Sequence, residues 1–239
     1  MVDLSFMQET STLGIVDKVI QDKEAGRKPR AYLGMSEIGD ECGRRLWIKF
    51  HTGAREVFKP RLLRLFETGK LLEKQIIKDL RGAGFIVSGR QMTFKDFKGK
   101  FKGHCDGIIS EIPESKKEHV LEIKTCNAKN FVKFQKGGIA AHEIYGAKYV
   151  AQAQCYMGYA NLDRALFIIE NKDTSDRYQE RLRFDKKLFQ TIQEKARRII
   201  DAKFPPDGIS ARPEYYKCQW CSFNNGDQCR KLWPGEPAF

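Results

Sequence analysis

Between Gly103 and Thr125 the chain carries Gly103-His104-Cys105-Asp106-Gly107, an intervening loop, and then Leu121-Glu122-Ile123-Lys124-Thr125. Successive side chains alternate faces along a β-strand, so Glu122 and Lys124 share one face while Leu121 and Ile123 enter the opposite layer. If the strand holding Asp106 lies beside this one, two carboxylates and an ammonium converge on one spot. Such a cluster can hold a hard divalent cation on oxygen ligands and set a water against a phosphate. His104 is expected on the same face as Asp106, in a supporting role.

The remaining elements follow from periodicity. Leu13, Val16 and Ile20 recur at helical spacing over 11–23, behind a Ser/Thr start. A turn through Cys42 feeds a helix near Leu46-Trp47-Ile48. The stretch 61–81 predicts a long helix whose stripe is Leu62, Phe66, Gly69, Ile76 and Leu80, stopped by Gly82 and Gly84. Glu73 lies on that stripe, and a carboxylate on a core-facing side must be paired or ligating to offset its desolvation. Residues 85–125 read as a β-meander with runs at 85–87, 91–94, 101–109 and 119–125. Within it, Lys95 to Lys102 interleaves lysines with Phe97 and Phe101, as a solvated hairpin or a phosphate-backbone clamp. A loop and helix with Gly137-Gly138 follow over 127–146. The helix over 147–160 puts Gln152 and Tyr156 one turn apart on one face. A buried strand at 164–172, an outer strand at 178–184 and a basic amphipathic helix from Asp185 complete the pattern.

The net charge of +12 implies an anionic partner, and a nucleic acid fits better than a small acidic substrate. No long apolar run and no signal-like start is present, so the expectation is a cytoplasmic protein without a membrane span. There is no Walker-type glycine loop, so no nucleotide-driven motor is encoded in this stretch. Seven cysteines, odd in number and unevenly placed, point to metal ligation or buried thiols over a disulfide framework. Cys218-Gln219-Trp220-Cys221 and Cys229 supply three thiolates, and a structural zinc or a [4Fe–4S] cluster needs four. Cys105, Cys126 and Cys155 are better placed to pack as small hydrophobes, which leaves Cys42 as the fourth candidate. Spacing alone leaves zinc and iron–sulfur open. Trp220, Tyr215 and Tyr216 are expected to shield such a centre.

Taken in order, these motifs resemble the PD-(D/E)XK nuclease superfamily, in its RecB-like branch. Gly69-Lys70-Leu71-Leu72-Glu73 looks like the helical first motif, Gly103 to Gly107 the second, Leu121 to Thr125 the third, and Gln152-Ala153-Gln154-Cys155-Tyr156 the Q-x-x-x-Y helix. The resemblance implies a restriction-endonuclease-like α/β core, a central mixed sheet flanked by helices. It also implies Mg²⁺- or Mn²⁺-dependent deoxyribonuclease activity, as an exonuclease. Asp106 and Glu122 would bind the metal with Glu73 and the Ile123 carbonyl, Lys124 would be the catalytic lysine, and Gln152 and Tyr156 would position active-site groups and DNA. Many RecB-like members carry histidine where this chain has Glu73.

One cysteine before the core and three after it resembles the iron–sulfur nucleases of this branch, the CRISPR-associated exonucleases and AddB-type domains. That likeness implies a [4Fe–4S] cluster on Cys42, Cys218, Cys221 and Cys229, in place of structural Zn²⁺, joining the N- and C-terminal segments. The expected organisation is an N-terminal helix and linker (1–35), a first cluster-ligand segment (36–60), the nuclease core (61–204) and a C-terminal cysteine segment (205–239). The expected role is processing of DNA ends or single strands in recombination, repair or phage and CRISPR pathways of a bacterial, archaeal or phage-infected cell. A helicase, recombinase or CRISPR adaptation protein would be the protein partner. The competing expectation is a catalytically silent DNA-binding subunit of a larger complex.

Overall fold

A computed structural model describes residues 10–225 and Cys229. In chain order the elements are helix α1 (Thr12–Ala25), β1 (Leu33–Gly34), α2 (Gly43–Thr52), α3 (Pro60–Gly82), β2 (Ile86–Ser88), β3 (Thr93–Asp96), a 3₁₀ turn (Phe97–Gly99), β4 (Phe101–His104), β5 (Gly107–Ser110) and β6 (His119–Cys126). They continue with α4 (Ala128–Gly137), α5 (Gly146–Ala160), β7 (Arg164–Asn171), β8 (Arg177–Arg183), α6 (Lys186–Asp201), α7 (Tyr216–Gln219) and α8 (Ser222–Asn225).

The strands form two sheets. Five order as β2-β5-β6-β7-β8 and three as β1-β4-β3. The larger sheet is mixed: β6 and β7 run parallel, with Leu121 opposite Leu166, whereas β5 pairs antiparallel with β6 and β8 with β7. A parallel pair needs a crossover, and α4 with α5 supplies it between β6 and β7.

Strand alternation sorts the two faces of this sheet. Leu121, Ile123, Leu166 and Ile168 join Ile76 and Ile77 of α3 in one apolar cluster. Val120, Ala165, Phe167 and Ile169 fall on the other side, in the larger cluster with Ala153 and Met157 of α5 and Ile192, Ala196 and Ile199 of α6. Leu33, Met35, Leu46, Trp47 and Ile48 belong to that same cluster, so β1 and α2 are built into the main core. Burying a side chain of this size contributes about 1.5–3 kcal/mol, so the crossover face is where most of the fold's apolar stabilisation gathers.

Several elements depart from their sequence expectations. Residues 101–109 do not form one strand: the chain leaves the small sheet at His104 and enters the large one at Gly107, so the expected meander is shared between two sheets. His104 therefore ends β4, its Nδ1 2.9 Å from Thr93 Oγ1, and no strand face links it to Asp106. On α3 the buried residues are Leu63, Ile76 and Ile77, while Leu62 and Phe66 are 38% and 43% exposed. The first turns of α3 carry α1, with Arg64 paired to Asp17, while its buried Ile76 and Ile77 sit further along, against the sheet. No residue of α1 is buried, and Arg55 ties its C-terminal end by donating to the Glu24 and Ala25 carbonyls. In the lysine-rich hairpin, Phe101 is buried and Phe97 packs against the core, so neither ring is free to stack on a base and only the lysines face outward. Among the described residues no helix is long and apolar enough to cross a membrane.

Candidate active site

Asp106 occupies the gap between the sheets. Past the Gly107–Leu121 pair no partner on β5 faces Ile123, and the Ile123 N–H donates to Asp106 Oδ2 at 2.7 Å. A strand residue directs its N–H and C=O toward the same neighbour, so the Ile123 carbonyl also faces the side where Asp106 stands. One turn beyond Gly69, α3 delivers Glu73 to the same place. A Cβ on Gly69 would lie 3.3 Å from Thr125 Oγ1, so glycine there lets the helix run close to the end of β6.

Glu122 and Lys124 share a face as the alternation requires. Lys124 Nζ donates to Glu122 Oε2 at 2.6 Å, and Glu122 is wholly buried. Its other oxygen, Oε1, is buried without a hydrogen-bond partner. Burial pushes the Glu122 carboxyl up to about 8 against the pull of Lys124, with Asp106 and Glu73 adding to the rise. Burial also works against the Lys124 ammonium, but Glu122 and Asp106 outweigh it and hold the amine above its ordinary range. The Lys124 ammonium lies 5.4 Å from the centre of the Tyr149 ring, a contact that sequence reading missed because Tyr149 lies outside the Gln/Tyr spacing. Burial and the charge of Asp106 raise the Glu73 carboxyl, against a hydrogen bond from Gln91 Nε2 at 3.2 Å.

Gln152 and Tyr156 lie behind this cluster. They are only 6% and 1% exposed, and the Gln152 amide donates to the Tyr156 hydroxyl at 3.2 Å. The tyrosine ring stacks on Phe94 and lies against Gly103, where a Cβ would come within 2.6 Å of Cε1 and 2.7 Å of Met35 Cβ. Glycine at 103 is thus required by close approach, and the pair supports the end of β4 just ahead of Asp106 from inside the core.

Cys42, Cys218, Cys221 and Cys229 all line one cavity of about 530 Å³. Cys42 caps α2, its Sγ accepting from the Arg45 N–H. Burial raises the Cys218 thiol, and the other three cysteines raise it further, so the four sulfurs feel one another. Cys105 and Cys155 are fully buried and Cys126 nearly so. Trp220 stands at the cavity edge but is 86% exposed, so it does not shield the thiols as expected. Among the described residues, no group of three or more His, Cys, Asp or Glu side chains is arranged to hold a metal ion. The donor chemistry nevertheless fits in both places: carboxylates with an unpartnered buried oxygen at one, four thiols around one cavity at the other.

No family model matches the chain, and no curated protein sequence matches it. Solved structures do. An alkaline exonuclease, LHK-Exo, from Laribacter hongkongensis superposes with a TM-score of 0.54 at 16% identity, covering 77% of this chain and 90% of that one. A second LHK-Exo structure, in complex with dAMP, gives 0.51 at 16% identity over 71% and 86% of the two chains. SSO0001 gives 0.53 at 16% identity over 91% and 96%. With its mixed sheet, its crossover helices and Asp106, Glu122 and Lys124 drawn to one seam, this chain has the fold of the PD-(D/E)XK nucleases.

Proposed function

We propose that this protein is a metal-dependent deoxyribonuclease that acts as an exonuclease on DNA ends or exposed single strands. The juxtaposition of Asp106, Glu122 and Lys124 at the seam of the two sheets, on a fold shared with exonucleases, carries this reading. Glu73, Asp106, Glu122 and the Ile123 carbonyl would hold Mg²⁺ or Mn²⁺. Bound there, the cation would polarise a phosphoryl oxygen and make a water acidic enough to serve as nucleophile. Lys124 keeps its proton, so it acts as a fixed positive charge toward the phosphate and not as a base. Glu122, cut off from water, carries its negative charge only when cations flank it, which couples its ionisation to occupation of the site. Gln152 and Tyr156 hold the end of β4 and so the position of Asp106. The net charge of +12 suits a polyanion, and the exposed Lys95, Lys98 and Lys100 offer backbone contacts. A separate helicase, recombinase or CRISPR adaptation protein would present the strand.

The expected result is degradation of 5′- or 3′-end-labelled DNA in Mg²⁺ or Mn²⁺, slowed about 10³-fold by Asp106→Ala, the equivalent of about 4 kcal/mol. Wild-type protein that leaves linear and circular single strands and duplex ends intact with either metal overturns the proposal.

Cys42, Cys218, Cys221 and Cys229 would hold a [4Fe–4S] cluster, tying the segment before the core to the one after it. Protein purified without oxygen is then brown and carries about four irons per chain. Colourless protein with one zinc per chain selects the structural-zinc form instead.

A further inference from the structure

Between β2 and β3 the chain turns through Gly89-Arg90-Gln91-Met92, closed by the Met92 N–H donating to the Gly89 carbonyl at 2.9 Å. Gln91, at the third position, has φ +53°, in the left-handed region. A turn with positive φ there accepts glycine or asparagine without strain, and a glutamine fits it poorly. Packing does not call for the larger residue either, because Gln91 is exposed. What its side chain does is reach Glu73: Nε2 lies 3.2 Å from Oε1.

Glu73 needs such a partner. It stands half-buried on α3, with the Asp106 carboxylate close enough to repel it. Arg90 and Lys124 attract the carboxylate from a distance, but the side-chain hydrogen bond it accepts among the described residues is the one from Gln91, and that bond fixes its direction against the repulsion. Backbone strain held at an active-site rim by a side chain that engages a functional group is a recognised device.

We infer that Gln91 is a positioning residue, which fixes the Glu73 carboxylate toward Asp106 and Glu122 and thereby sets the affinity of the site for a divalent cation. The inference rests on the nuclease reading above and names the residue that tunes its metal site.

Two substitutions separate this role from a structural one. Gln91→Gly loses the amide and relieves the backbone; Gln91→Met loses the amide and keeps both bulk and strain. Mn²⁺ binding by titration calorimetry on the full chain, thermal melting, and the Mg²⁺ dependence of DNA cleavage are measured for each. The expected result is Mn²⁺ affinity weakened about tenfold in both variants, as for other groups that orient a metal ligand. The Mg²⁺ concentration for half-maximal cleavage rises by a similar factor, and Gln91→Gly melts no lower than wild type. Wild-type Mn²⁺ affinity in both variants, with wild-type protein cutting DNA, overturns the inference and leaves the nuclease reading standing. Affinity lost only where melting temperature falls also overturns it. Wild-type protein that neither binds Mn²⁺ nor cuts DNA removes both.

Discussion

Lys124→Met is expected to lower DNA hydrolysis by about 10³-fold while leaving the chain folded. Breaking a buried ion pair by removing one partner usually costs about 3–5 kcal/mol, because a charge is left without its counterion. Here the remaining partner has an exit. The Glu122 carboxyl is pushed up to about 8 even with the ammonium beside it, so without Lys124 it stays protonated at neutral pH and the penalty falls to about 1–3 kcal/mol. The pH dependence follows from the sign of that shift. The unfolded chain releases this proton near the ordinary carboxyl value of 4.5 while the folded chain keeps it, so the folded form binds more protons and its stability declines as pH rises toward the folded value. The gap in melting temperature between Lys124→Met and wild type should therefore widen from pH 6 to pH 9. Retained activity, or a gap that does not change with pH, would contradict the assignment.

The second large effect is expected far from the chemistry. Arg45 bridges Asp40 and Glu56, two nearly buried carboxylates, while Lys148 reaches Asp40 at 3.0 Å and Lys49 reaches Glu56 at 3.5 Å. Burial pushes both acids up, yet the surrounding cations more than reverse it, and both end below the ordinary carboxylate range. Arg45→Met leaves Glu56 with Lys49 alone and Asp40 with Lys148 and the neighbouring Lys195. The expected loss is about 3 kcal/mol, at the low end for a broken buried pair. For a chain of this size that is about 6–12 °C in melting temperature. Because both acids are depressed, their contribution is complete above about pH 4.5 and lost as pH falls through the folded values. The difference between variant and wild type should thus be full at pH 7 and shrink below pH 4. A melting temperature within 2 °C of wild type at pH 7, about 0.5–1 kcal/mol, would show the bridge to be dispensable.

What could be read from the sequence was whatever depends on neighbours along the chain. Alternation placed Glu122 opposite to Leu121 and Ile123, and the helix over 147–160 and the strands at 164–172 and 178–184 follow from periodicity and breakers. What could not be read depends on how separate strands dock. Nothing local says that 101–109 divides at Cys105-Asp106, because each half is a good strand and the break exists only in relation to two different sheets. The exposure of Leu62 and Phe66 has a similar origin: a helical stripe reports amphipathicity and is silent about which of its turns another element covers. Tyr149 and Gln91 escaped notice for a related reason. Both contact the cluster through space, from positions that no motif spacing marks, and Gln91 does so from a turn whose left-handed residue is ordinarily a glycine.

The position of Asp106 between the two sheets has an evolutionary consequence. Its backbone is committed to neither ladder, so a chain that exchanged this aspartate for a neutral residue would keep the β pairings described for β4, β5 and β6 and lose the one hydrogen bond its side chain accepts from the Ile123 N–H. On the nuclease reading, the loss of this residue would fall mainly on the chemistry, at the cost of a single hydrogen bond to β6. If the chain is the nuclease proposed above, descendants that bind DNA without cutting it are one substitution away, and an alignment that scores only the hydrophobic pattern would not tell them apart from active ones.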